Sequence, residues 1–447
     1  MSARSAPPAV ALVIAALATA AAAPSRADQA AAPAPADWTA KLVARADDIA
    51  IKVAALRGLA VKRVIDKGIM NDEGLRARIL LRMDEDSPAA ERALDAAVAK
   101  RWGLVPMATD LDQLILDLLT EQIAGFYDPA EGKLYVSAKP GSDDTWADML
   151  MAHEITHALQ DQHFSLTPWM KAVEDDNDAS LARQALVEGD GVALMLEYTL
   201  AEQNMGAPWD HDEVVKLLTS SMGASTTGET GSQLIDRAPI ALREGMMFPY
   251  RAGVGFVAAL RKGKPWSAVD AAFARPPRST EQIIHPALYF ADARPDVITA
   301  PADPLQLDAG VWGEEGWREF LLANGVAADV AATASAGWGG DRVALRGTTA
   351  QVAKPWRTTG VAMTTWDTDV DALEFWDAAS RAMDQLAMGS TAEEQDDRIV
   401  WMTWHGKVTA MEKRDRRIAI VTGATLTTWR AALDDAWRWK IVWAKRP

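Results

Sequence analysis

Ala152-His153-Glu154-Ile155-Thr156-His157-Ala158 is the stretch on which the reading of this chain turns. Met149, Ile155 and Leu159 recur around it at helical spacing, and Asp143-Asp144 is a helix-start signal, so a helix is predicted from about Trp146 to His163. Residues four apart share one helix face. The imidazoles of His153 and His157 can therefore reach a single metal ion. Glu154 follows the first histidine and projects beside the open coordination position, where a carboxylate can accept a proton from water. Zinc suits this set: it takes imidazole nitrogen and makes water acidic near neutral pH, so one carboxylate suffices as the base.

Two histidines leave zinc short of a third protein ligand. His163 lies six residues past His157, the spacing of the metzincin signature, but Gln160 stands where that signature has the glycine that turns the chain back. The competing candidate is Glu188, in Leu186-Val187-Glu188-Gly189-Asp190-Gly191. Two glycines interrupt a helical pattern there, at about 1 kcal/mol each relative to alanine. Glycines beside a carboxylate imply that another element packs very close, and the helix bearing His153 and His157 is the expected partner. Glu188 is favoured on that ground. Asp190 is a candidate to orient a zinc-bound imidazole from behind.

Working outward, Gly125 to Val136 reads as strand, turn, strand, with Asp128-Pro129 opening the turn and Gly132 closing it. The pattern from Trp38 to about Glu121 is helical throughout, and further helices are predicted at about 178–204, 211–222 and 250–262. Arg275-Pro276-Pro277 breaks the chain. Beyond residue 300 the composition shifts, and strands are predicted at Val361–Thr365, Ile399–Trp404 and Ile418–Thr422 among frequent tryptophans. Those tryptophans are expected in a core. Gly337-Trp338-Gly339-Gly340-Asp341 lacks the ending of a phosphate loop and reads as a tight turn before a strand.

The whole chain of 447 residues is long enough for more than one core. With 46 Lys and Arg against 62 Asp and Glu, its formal charge of −16 argues against nucleic acid or an anionic membrane surface as partner. Cysteine is absent, which removes disulfides, thiolate nucleophiles and Cys-ligated metals together. The apolar run from Ala9 to Ala23, followed by Ser25-Arg26-Ala27, reads as a signal peptide over residues 1–27, too short to span a bilayer securely. No later stretch is long and apolar enough to span. Export to the periplasm or outside the cell is expected.

At the histidine motif and Glu188 the chain resembles the gluzincins, zinc metallopeptidases with H-E-x-x-H on one helix and a glutamate ligand on the next. Thermolysin-like peptidases and the aminopeptidase N group belong there. The resemblance implies zinc on His153, His157 and Glu188, Glu154 as general base, and a peptide or protein substrate. Tyr250-Arg251-Ala252-Gly253 is similar to a Tyr-x-x-Gly helix start in the aminopeptidase N group. That likeness implies an oxyanion-stabilising role for Tyr250. In this clan a strand before the site helix forms the edge on which an extended peptide pairs, which implies that Leu134, Tyr135 and Val136 bind substrate. His285 is a second candidate for polarising a carbonyl. The segments 125–129, 153–164, 279–286 and 337–341 are also similar to exported bacterial proteins of unassigned function. Departures stand beside these likenesses. Position 192 is Val, where thermolysin-like enzymes have Asp, and no Gly-x-Met-x-Asn segment is present to grip a free amine.

The reading is an α+β chain. Residues 28–37 form a disordered lead-in, residues 38–300 a mainly helical zincin-like catalytic domain with a short strand hairpin, and residues 301–447 a smaller Trp-rich α+β domain. The expected activity is zinc-dependent peptide hydrolysis, more as an endopeptidase than an exopeptidase. The alternatives are a catalytically silent zincin-fold binding or scaffold protein, and a zinc amidase acting on cell-wall peptides.

Overall fold

The computed structural model of the chain describes residues 35–122, 125–137, 144–211, 213, 215–216, 233–403 and 405–444. Residues 1–27, read above as a signal peptide, and residues 28–34 of the expected lead-in lie outside these. Residues 35–37 open a helix rather than closing a disordered lead-in. The helix expected at 211–222 falls mostly outside the described residues. The architecture is α+β, helical in its first two-thirds and built on a large antiparallel sheet in the remainder.

Helix α1 (Pro35–Arg57) buries Ala46, Ile49, Ala50 and Val53, the spacing of one helix face. α2 (Asp72–Asp86) is capped by the Asn71 side chain, which accepts from the Gly74 N–H, and α3 (Ala89–Arg101) and α4 (Leu111–Gln122) follow. The unbroken helical reading of this region is corrected at one place. β1 (Asp66–Met70) lies between α1 and α2 and pairs in parallel with β3 (Lys133–Ser137), which also pairs antiparallel with β2 (Gly125–Asp128). Five residues, none of them buried, carry little periodic signal. Their strand character comes from the partner across the sheet. The expected hairpin is therefore a three-stranded sheet in the order β1-β3-β2.

α5 (Asp144–Phe164) carries the histidine motif, and α6 (Leu166–Lys171) leads to α7 (Asn177–Glu202), which carries Glu188. After α8 (Gln233–Arg237) comes α9 (Ile240–Arg261). α9 begins ten residues before the expected start at Tyr250, and it runs through Pro249. Pro249 reads locally as a first-turn residue, but Glu244 through Tyr250 are all buried, and packing holds the helix through it. Tyr250 is thus mid-helix. α10 (Ser267–Ala274), α11 (Thr280–Ile284) and α12 (Pro286–Phe290) complete this body, whose core runs from Ala46 to Tyr289.

The second body is a seven-stranded antiparallel sheet in the order β5-β6-β7-β11-β10-β9-β8. Its strands are β5 (Gln306–Gly310), β6 (Trp338–Arg346), β7 (Thr359–Trp366), β8 (Gly389–Gln395), β9 (Arg398–Thr403), β10 (Lys407–Arg414) and β11 (Arg417–Thr425). Gly337, at φ +72°, turns the chain into β6, but the tight turn expected over Gly337–Asp341 is corrected, since Trp338 to Asp341 already belong to the strand. Alternation splits the core into two layers. Ala362, Trp366, Ile418 and Ile420 face α13 (Gly313–Ala323), α14 (Ala328–Ser335) and α16 (Asp369–Ala387), while Val361, Met363, Ala419 and Val421 face α17 (Trp429–Ala436). α15 (Thr349–Val352) lies between β6 and β7. Trp317, Trp338, Trp366 and Trp401 are core residues, whereas Trp356 and Trp443 are exposed.

The two bodies interleave rather than meeting at residue 300. β4 (Val297–Thr299) pairs with β12 (Lys440–Val442), and the Asp296 N–H donates to the Gly339 carbonyl. In the other direction, Trp102 at the end of α3 is fully buried in the second body's core, edge-on to Trp317 and Phe320. Among the described residues no helix is long and apolar enough to cross a membrane.

Candidate metal centre

Residues 151–160 of α5 are all buried, so these nearly three turns of helix are enclosed on every side. Polar groups there must find partners or a ligand. His153 Nε2 and His157 Nε2 lie 3.0 Å apart, and Glu188 Oε2 reaches in from α7 to 3.3 Å and 3.4 Å from them. All three side chains are wholly buried. They are the group of His and acidic residues that could hold a metal among the described residues, with ligand atoms all within 4.8 Å of one another.

The two glycines around Glu188 explain the close approach. A Cβ on Gly191 would stand 2.7 Å from His153 Cε1, so only glycine lets that ring lie on the α7 backbone. Gly189 serves a different neighbour. Its Cβ would fall 2.2 Å from the Gly253 carbonyl carbon, and a Cβ on Gly253 would fall 2.0 Å from the Ala185 carbonyl oxygen. The expectation that both glycines receive α5 holds for Gly191. At Gly189 the close partner is α9.

The residues fit a metal. Neither oxygen of the buried Glu188 carboxylate has a hydrogen-bond partner, and two imidazole nitrogens converge on the same point. Buried carboxylate oxygens without donors are costly, and a divalent cation is the group this donor set satisfies. Burial alone would raise the Glu188 pKa, but the neighbouring His157 and His153 hold it down to about 2. Burial opposes charge on His157, yet Glu188 beside it pushes its pKa up to about 9. Burial and the adjacent His157 push His153 down.

Glu154 is buried next to the triad. Its Oε2 accepts the Tyr127 N–H of β2 at 2.9 Å, and its Oε1 has no partner. Burial raises its pKa well above the usual carboxylate range. Tyr250 is buried too, its ring stacked on that of His153 with centroids 6.3 Å apart.

Behind the triad runs a chain of partners. His157 Nδ1 lies 2.8 Å from Gln160 Oε1, and the Gln160 amide donates to the Val187 carbonyl and to Asp190 Oδ2 at 3.0 Å and 2.8 Å. Asp190 is wholly buried and paired with Arg57 at 2.8 Å; Arg57 also donates to Asp270 at 2.8 Å. Asp190 is thus linked to His157 through Gln160 rather than bonded to an imidazole. Arg57 and the Tyr127 N–H were not foreseen. A lone arginine at a helix end carries no signal of a partner on α7, and a backbone donor has no side chain to read.

Five candidate residues lie elsewhere. His163 Nε2 contacts the Ala60 carbonyl at 2.8 Å, outside the triad. His285 Nε2 lies 3.0 Å from Glu314 Oε1 of α13. Leu134, Tyr135 and Val136 are buried in β3, the middle strand of its sheet. The expected free edge on β3 is corrected: β1 occupies one side and β2 the other, so its main-chain groups are already paired with protein.

Residues 303–434 are similar to a family described as Domain of unknown function (DUF8575). The matched segment is the sheet of the second body and contains none of the triad. No curated protein and no solved structure matches the chain.

Proposed function

We propose that the protein is a zinc-dependent peptidase that hydrolyses internal bonds of peptide or protein substrates after export. The observation that carries this reading is the convergence of His153, His157 and Glu188 on one point with the Glu154 carboxylate alongside. Zinc held by these three residues would supply a Lewis acid that polarises a carbonyl and acidifies water. The remaining steps belong to the protein. The Tyr127 N–H fixes Glu154 Oε2, which leaves Oε1 to take a proton from the attacking water. Glu154 then returns that proton to the departing amine. Tyr250, stacked on His153, is the candidate donor to the carbonyl oxygen as it gains charge.

A second reading has its own support. His153, Glu154, His157 and Glu188 are at most 1% exposed, as expected of a metal-holding scaffold that does not turn over. One assay separates the readings. Zinc-loaded protein is incubated with an internally quenched peptide mixture, with cell-wall peptides in parallel, and Glu154→Gln is compared with wild type. The peptidase reading expects cleavage of internal peptide bonds that falls at least about a hundredfold in Glu154→Gln at equal zinc content. Inactive wild-type protein favours the scaffold, and cleavage confined to cell-wall peptides favours an amidase.

A further inference from the structure

The second body has a concave mouth where one end of its sheet meets the end of α3. Its volume is about 880 Å³, and its lining contains no Asp or Glu. It does contain Arg101, Arg357, Lys407 and His405, in a chain whose formal charge is −16. By contrast, other part-buried or buried arginines of this protein meet carboxylates, among them Arg57, Arg78, Arg82, Arg92, Arg318 and Arg346. In the mouth, Arg101, Arg357 and Lys407 meet none among the described residues.

Arg101 is the most constrained of them. Its side chain is buried, and Nε and Nη2 donate to the Pro355 carbonyl at 3.3 Å and 3.1 Å. Gly423, at φ +72°, lies directly against Nη1, where a Cβ would stand 1.9 Å away. The guanidinium is thus seated by backbone and by a missing side chain, with no counter-charge. Burial pushes its pKa down to about 10, and burial with the neighbouring Arg101 and Arg357 lowers that of Lys407. A desolvated cation beside two others is costly without an anion. Around these cations stand the hydroxyls of Thr409 and Thr422, the half-exposed ring of Trp356, and the exposed side chain of Met388.

We propose that this mouth binds an organic anion, a phosphate or carboxylate group carried on a planar apolar body. Arg101, Arg357 and Lys407 neutralise the acid group and Trp356 covers the apolar part. Because Arg101 comes from the first body and the others from the second, the ligand bridges the two. Guanidinium forks suit both oxyanions, and the volume is that of a small-molecule site.

The test is isothermal titration calorimetry on the full chain at constant ionic strength. The probes are phenyl phosphate, benzoate and inorganic phosphate, with benzylamine as the cationic control. Saturable binding of phenyl phosphate or benzoate is expected, tighter than inorganic phosphate, with none for benzylamine. The stronger of the two aromatic anions identifies the acid group. Arg357→Gln and Lys407→Gln, at the rim, are each expected to weaken that anion at least about tenfold. Trp356→Ala is expected to reduce it to the level of inorganic phosphate. Both rim variants remove unpaired like charges, so their ligand-free thermal midpoints are expected to stay unchanged or rise, which reports that they fold. The proposal is overturned if no anion binds saturably, or if the Arg357→Gln, Lys407→Gln double variant binds as wild type does.

Discussion

Gln160 stands where a histidine-turn signature would have glycine, and its side chain joins His157 to Asp190 and the Val187 carbonyl. An amide can do this because it accepts and donates at once. Its oxygen accepts a hydrogen bond from the Nδ1–H, which leaves Nε2 to face the metal position. Leucine has the volume but neither function. Gln160→Leu is therefore expected to weaken zinc binding about 10- to 100-fold with the helix intact, read by competition with a chromogenic chelator and circular dichroism. Affinity equal to wild type would show that His157 needs no such support. His153, Glu154, His157 and Glu188 were all legible in the sequence for physical reasons: i and i+4 share a face, and glycines beside a buried carboxylate mark a close contact. Arg57 was not legible, because its partner Asp190 is 133 positions away and only the fold brings them together.

At the scale of elements, α7 and α9 cross backbone to backbone at Gly189 and Gly253. Alanine is the better helix former by about 1 kcal/mol, yet the Cβ would strike backbone, which cannot rotate aside. Gly253→Ala is expected to lower stability by about 2 kcal/mol or more, measured by urea unfolding. A neutral or stabilising effect would contradict the close crossing. α5 and α7 were legible from the spacing of their apolar residues and from the start signal at Asp143-Asp144. β1 and the early start of α9 were not. A five-residue strand takes its identity from the strand it joins, and Pro249 suggests a boundary that burial on all sides overrides. The edge role expected of β3 failed for the same reason: a parallel neighbour supplied from residues 66–70 cannot be read from β3 itself.

Over the whole molecule, Trp102 ties the bodies together. It is buried among Trp312, Trp317 and Phe320, and its carbonyl accepts from the Asn324 amide at 3.1 Å. Trp102→Ala is expected to cost about 3–5 kcal/mol and to split a single calorimetric transition into two. One unchanged transition would contradict the coupling. The same junction holds two acids in one small cavity, Asp95 of α3 and Asp308 of β5. Burial raises the Asp308 pKa to about 6, with backbone bonding and Arg342 opposing, and burial with Asp308 nearby raises Asp95 well above its usual value. A carboxyl raised in the folded state binds its proton more tightly there than in the unfolded chain. Its contribution is therefore full below about pH 4 and is lost as pH rises through about 6. Asp308→Asn is expected to raise the thermal midpoint by a few degrees above pH 7 and to have little effect near pH 4, seen by scanning calorimetry across that range. A pH-independent effect would contradict it. The α+β character of the Trp-rich second body was legible from its strands and helices. Its intrusion by α3 was not, since Trp102 looks like any helix-end tryptophan.

The most direct test of the proposed centre is the zinc content of the purified protein, measured by inductively coupled plasma mass spectrometry after dialysis against metal-free buffer. The expected result is a single zinc ion per chain in wild type and in His163→Ala, with loss in His157→Ala and Glu188→Ala. Wild type without zinc, or loss in His163→Ala with retention in Glu188→Ala, would contradict a centre built from His153, His157 and Glu188.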